Sequence, residues 1–295
     1  MAKAMLLFLA TDDGLALLSD PAGQGRWLRS AHHFQGTAVR SIWIDPSHPL
    51  TTLVVANGRV HRSTDGGQTW TALSADDPLP PDAALYGALR QSSLVGLMSG
   101  DRLFISDDAG ASWRRIALPG AYGAFVIDDA GRSYGALDAQ VLASDDCGVT
   151  WREYGAPLPG IVRALIAAPG QEEILCALAD GQVYRSERDA WRLIDGMPGE
   201  ATACTALAGA TPTLIAALVS GGTTRGSLDA WTPDIATLPW EGAATVLKPA
   251  RYHMDTAVAA SEAGEVAIST DRGRSWNLVR RGLAAVRDIA TTRLA

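Results

Sequence analysis

One eight-residue phrase recurs four times in this chain. It reads S-T-D-G-G-Q-T-W at residues 63–70, S-D-D-A-G-A-S-W at 106–113, S-D-D-C-G-V-T-W at 144–151 and S-T-D-R-G-R-S-W at 269–276. Five positions are shared: Ser, Asp two residues on, Gly two further, Thr or Ser two further, then Trp. Altered copies end at Trp27, Trp191 and Trp231, so that seven repeat tryptophans follow one another at spacings of 38 to 45 residues. A period near 40 residues with several short strands per unit is the signature of a propeller rather than a helical solenoid. The expectation is an all-β fold, a seven-bladed β-propeller with four-stranded antiparallel blades, forming one domain over residues 1–295.

Each residue of the phrase suits a tight turn between two strands. Asp65 can accept hydrogen bonds from backbone N–H groups two or three residues on, and Ser63 can assist from the strand end. Gly67 provides a position where positive φ carries no steric penalty. Thr69 suits the start of the next strand. Trp70 buries a large ring and is expected to find a partner for its N–H. The same roles fall to Asp108 and Trp113, to Asp146 and Trp151, and to Asp271 and Trp276. The pattern resembles the Asp-box (BNR) repeat of sialidase-like and related β-propellers. That resemblance implies that these aspartates are structural and stand on the edge of the molecule, away from any active site.

Within a repeat the strands are named A to D from the axis to the rim. Asn57-Gly58, Gly100-Asp101, Asp180-Gly181 and Gly221-Gly222 mark the B-to-C hairpins, and the box forms the C-to-D turn. The first repeat lacks a strand A. A segment after Trp276, LAAVRDIATT, aligns with the strand A segments TAVRSIWID and GIVRALIAAP, so the C-terminal strand is expected to pair into the N-terminal blade and close the ring. The longest connection is expected over residues 75–84.

Composition narrows the partners. The chain is 47% hydrophobic and 19% charged, as folded domains are. Its net charge of −7 disfavours nucleic acid, which requires a basic surface. Cys147, Cys176 and Cys204 are odd in number and match no zinc spacing, which fits a reducing, cytoplasmic location. The apolar run over residues 4–10 is short and is followed by Thr11-Asp12-Asp13, so it reads as a blade strand rather than a leader. No stretch approaches the roughly 20 apolar residues of a membrane span. His32 and His33 point to opposite faces of a strand and make a poor chelate. The sequence therefore suggests no metal, no cofactor, no membrane association and a monomer.

Propellers built this way bind ligands at the axial mouth formed by the D-to-A and B-to-C loops, a fold-level analogy. Aligning the starts of strand A brings Arg40, Tyr86, Tyr122, Arg163, Thr205, Thr245 and Arg287 to equivalent positions. Arginine forks hold carboxylate, phosphate or sulfate. Tyrosine adds hydroxyls and stacking faces. The same side chains have a structural reading, as wedges between neighbouring blades. Trp240, beside Glu241 in a D-to-A loop, either faces a ligand or plugs its own loop; Trp43 is expected between blades.

The resemblance reaches sialidases, xyloglucan-cleaving glycosidases, sortilin-type receptors and the photosystem II assembly factor, a seven-bladed non-catalytic binder with an arginine patch. The first expectation is accordingly a non-catalytic binding or assembly scaffold whose funnel face holds a protein segment or an anionic small molecule or glycan. The alternative is a sialidase-like glycoside hydrolase, with Arg40, Arg163 and Arg287 as an arginine triad, Tyr86 or Tyr122 as nucleophile, and Glu241 or Asp288 as carboxyl partner. The Arg-x-Pro motif that precedes the first box in sialidases is missing here.

Overall fold

Each repeat folds as a four-stranded antiparallel sheet, and there are seven such sheets. The computed structural model describes residues 4–73, 79–80, 83–88, 93–171, 174–188 and 190–293, and most of the connection expected over 75–84 lies outside them. Blades two to seven each run A-B-C-D in chain order. Their A strands are Val39–Ile44, Ala84–Gly87, Ala124–Ile127, Val162–Ala167, Ala201–Leu207 and Val246–Pro249. Blade one borrows its strand A from the other end of the chain: Val286–Arg293 pairs antiparallel with Met5–Thr11, in register from Met5 opposite Arg293 to Ala10 opposite Asp288. The seven A strands neighbour one another in a closed circle about the axis. No helix of the described residues is long and apolar enough to cross a membrane.

The core is a ring of seven clusters, each filling the cleft between two adjacent blades. Leu7, Leu9, Val258, Val266 and Ile289, for example, join blade seven to blade one, and Phe8, Leu17, Ile42 and Val54 join one to two. Every cluster receives one repeat tryptophan from its later blade: Trp27, Trp70, Trp113, Trp151, Trp191, Trp231 and Trp276. The 40-residue spacing of tryptophan is thus the spacing of inter-blade clefts. The indole N–H does not behave as expected. Trp276 Nε1 donates to Thr223 Oγ1 at 2.8 Å, whereas the other six repeat tryptophans bury an N–H that meets no acceptor. Area burial, not hydrogen bonding, therefore accounts for the indoles at those positions.

The box adopts the turn its residues imply. Ser63 Oγ donates to Asp65 Oδ1 at 2.7 Å and accepts the N–H of Gly67 at 2.8 Å. Asp65 also accepts the N–H groups of Gln68 and Thr69 and the Thr69 hydroxyl, the last at 2.6 Å. Asp108, Asp146 and Asp271 repeat the pattern, with Ser112, Thr150 and Ser275 hydroxyls at 2.6, 2.7 and 2.6 Å. The backbone is left-handed at two successive residues: φ is +87° at Gly67 and +74° at Gly66. In the other boxes the position of Gly66 holds Ala109, Cys147 and Arg272, at +56°, +57° and +61°. The box glycine also has a packing role. A Cβ at Gly67 would stand 2.7 Å from Phe8 and 2.9 Å from Leu17 of the preceding blade, and one at Gly110 would stand 2.6 Å from Leu53. The box therefore fastens its blade to the one before it.

These hydrogen bonds carry a pH signature. Backbone and hydroxyl donors from Thr150, then Ser144, hold the Asp146 carboxyl down to about 2, and donors from Thr69 hold Asp65 well below the carboxylate range. A folded-state pKa below the unfolded value contributes stability at pH above about 4, which is lost as pH falls toward the folded value. The thermal midpoint should therefore fall between pH 4 and pH 2, with a shallower fall in Asp65→Asn and Asp146→Asn variants. Equal slopes in wild type and variants would contradict this account of the box.

Candidate functional site

The A strands enclose a channel of about 800 Å³ that reaches all seven blades. That volume lies in the range of ligand pockets, roughly 300–1,000 Å³. Four A strands carry a β-bulge near their start, and each leaves one residue unpaired. These are Arg287 in blade one, Arg40 in blade two, Arg163 in blade five and Thr202 in blade six. A bulge re-aims a side chain that would otherwise follow the pleat. All four line the channel. The equivalent position in blade six is thus Thr202, not the expected Thr205, which is buried further along the strand.

The three arginines divide two to one. Arg287 holds Asp12 in a fork, Nη2 to Oδ2 at 2.6 Å and Nε to Oδ1 at 3.0 Å, and Arg40 Nη1 adds a third contact at 2.8 Å. The Arg287 guanidinium, followed by Arg40, keeps the Asp12 carboxyl below its ordinary value despite partial burial. Arg287 also reaches Glu262 at 3.3 Å. Arg163 is exposed and meets no carboxylate among the described residues.

The aromatic candidates are placed differently from expectation. Tyr86 lines the channel with its ring edge-on to Phe125 at 5.3 Å. Tyr122 does not reach the mouth. It is 6% exposed, packs edge-on against Trp151 at 5.1 Å, and burial pushes its phenol far above the ordinary value. Tyr122 precedes strand A of its blade, and the glycine opposite, Gly135, leaves the slot that its ring fills. Trp240 is half-buried against the cluster between blades six and seven, as a plug on its own loop. Trp43 lies between blades two and three, where a Cβ on Gly87 would strike it at 2.1 Å. Thr245 is exposed to the channel, and Glu241 is exposed outside its lining.

Deeper in the channel a polar chain ties four blades together. Lys248 Nζ of blade seven meets Asp288 Oδ1 of blade one at 3.0 Å. Asp288 Oδ2 accepts the Ile42 N–H of blade two at 2.9 Å and the Ser41 hydroxyl at 3.1 Å. Ser41 Oγ in turn accepts the Leu85 N–H of blade three at 3.0 Å. Asp288, expected as a carboxyl candidate for chemistry, is engaged here in closing the ring. Arg132 pairs with Asp128 at 2.7 Å. Arg251 donates to the Ile44 carbonyl at 2.5 Å and meets no carboxylate within 4 Å among the described residues. Surrounding protein lowers its pKa to about 10, with Asp288, Asp45 and Asp129 acting the other way, so it stays cationic at neutral pH.

The described lining thus holds Arg40, Arg132, Arg163, Lys248, Arg251 and Arg287 against Asp128, Asp129 and Asp288. A molecule with a net charge of −7 concentrates positive charge along its axis. Asp12, Lys248 and Arg251 escaped sequence reasoning. Lys248 was findable, because it lies in a strand A run, TVLKP. Arg251 and Asp12 sit in turns whose relation to the axis depends on ring closure. Among the described residues no group of three or more His, Cys, Asp or Glu is placed to hold a metal ion.

Comparison with known proteins agrees with this architecture. The family model of the BNR/Asp-box repeat matches residues 61–72. No curated protein matches the chain in sequence. Among solved structures it is similar to YCF48 bound to D1 peptide, with 17% identity, a TM-score of 0.62 and 82% of each chain covered. It is also similar to YCF48 from Cyanidioschyzon merolae, at 14% identity and a TM-score of 0.64, covering 83% of this chain and 87% of that one. A third similar structure is the GH74 enzyme of Niastella koreensis, at 14% identity and a TM-score of 0.53, covering 98% of this chain and 66% of that one. Repeat, blade count and closure together identify the chain as a seven-bladed β-propeller that carries a BNR/Asp-box repeat.

Proposed function

We propose that this protein is a non-catalytic binding scaffold whose axial channel holds an extended, anionic protein segment. The observation that carries the reading is the excess of cations along the described lining, with Arg163 and Arg251 meeting no carboxylate among the described residues. Guanidinium groups that meet no carboxylate among the described residues are suited to a partner's carboxylates, in forked geometry. The similarity to a propeller solved with a bound peptide supports a protein segment over a small molecule or glycan. The scaffold acts as a monomer in the cytoplasm and needs no cofactor.

The hydrolase alternative is disfavoured by particular residues. Tyr122 is buried with a raised pKa, the opposite of an activated nucleophile. Asp288 is held by three blades. Affinity capture from native lysate, with Arg163→Ala and Arg251→Ala as controls, tests the scaffold. The double variant should lose its captured partner while remaining folded, and Arg163→Ala alone should weaken capture while keeping the wild-type thermal midpoint. Retention of every partner, or turnover of fluorogenic glycosides that disappears in Arg163→Ala, would overturn the reading.

A further inference from the structure

Asp12 occupies the position that a bound carboxylate would take. Its two oxygens receive a fork from Arg287 and a third contact from Arg40, at 2.6, 3.0 and 2.8 Å. Both arginines sit on β-bulges that aim them at the channel mouth, and both remain about one third exposed, at 33% and 38% of the side chain. Asp12 comes from a two-strand turn whose backbone is pinned independently, its N–H donating to the Ala285 carbonyl at 3.1 Å. The side chain can therefore leave the arginines without disturbing the turn. Ion pairs this exposed are individually weak and easily exchanged.

We infer that Asp12 is an internal placeholder: it fills the Arg40–Arg287 clamp in the empty protein and is displaced by a carboxylate of the incoming segment. This deepens the binding reading and rests on it. The placeholder keeps two neighbouring cations from repelling each other and from capturing stray anions. It also sets a threshold, since an incoming carboxylate binds only against the fraction of molecules in which Asp12 has let go. Three exposed contacts favour the occupied clamp by roughly tenfold. Arg163, across the mouth and meeting no carboxylate among the described residues, supplies the first contact for the ligand.

The test uses the full chain and a fluorescein-labelled tetraglutamate peptide with a free C-terminus, followed by fluorescence anisotropy. Asp12→Asn removes the charge and keeps the backbone bond. Asp180→Asn removes an exposed charge in the B-to-C hairpin of blade five that contacts no arginine among the described residues, at a left-handed position that Asn tolerates. Asp12→Asn should tighten binding about tenfold and Asp180→Asn less than about twofold. Equal tightening in both would mean general electrostatics and would overturn the placeholder. Binding that is lost in Arg163→Ala but unchanged in Asp12→Asn would overturn it while leaving the scaffold intact. No binding by any form, Asp12→Asn included, would overturn both.

Discussion

Removal of residues 286–293 will abolish the cooperative thermal transition or lower its midpoint by more than about 15 °C. This segment is strand A of blade one, and Val286 and Ile289 are 1% and 3% exposed. Its loss uncovers Leu7, Phe8 and Leu9, all fully buried in the intact ring. At about 1.5–3 kcal/mol for each of these three side chains, the deficit is on the order of 5–9 kcal/mol, comparable to the whole stability of a domain. It also removes Asp288, leaving Lys248 and the Ile42 N–H without their acceptor. A truncated protein that melts at the wild-type temperature would refute the closure.

Gly67→Ala should lower the thermal midpoint by about 6–12 °C. Two costs combine. A left-handed φ of +87° penalises any residue with a Cβ, by roughly 1–2 kcal/mol. The new methyl would also meet Phe8 at 2.7 Å and Leu17 at 2.9 Å, an overpacking cost of about 1–3 kcal/mol. Gly100→Ala separates the two, because Gly100 has φ +60° and open space around its missing Cβ. That variant should lose only about 1 kcal/mol. If the two variants melt alike, the box glycine serves the turn alone and does not fasten blades together.

The architecture was readable from the chain because its punctuation is dense. Five residue types at fixed offsets specify a turn, and seven tryptophans specify seven clefts. Closure was readable because LAAVRDIATT repeats the strand A pattern of other blades. The second left-handed residue of the box was not, since Ala109, Cys147 and Arg272 stand where a glycine would have announced it.

At the mouth, sequence alignment placed Arg40, Arg163 and Arg287 together, and their shared bulge shows why: each is the one residue its strand leaves unpaired. Alignment could not see that Tyr122 lies before its strand rather than within it, or that Thr202 rather than Thr205 takes the bulge in blade six. Those assignments depend on register, which a single-residue slip reverses. Asp12 was out of reach for another reason. Its partner Arg287 is 275 residues away in the chain, and the two meet only after the tail has closed the ring.

The most direct test of the binding channel leaves its charges untouched and fills its space. Thr245 is exposed to the channel at the start of strand A in blade seven. The segment captured from lysate should be titrated into wild-type protein and a Thr245→Trp variant of matched thermal midpoint. The channel account predicts at least a tenfold loss of affinity in the variant, about 1.4 kcal/mol; undiminished affinity would place the ligand elsewhere on the molecule and contradict it.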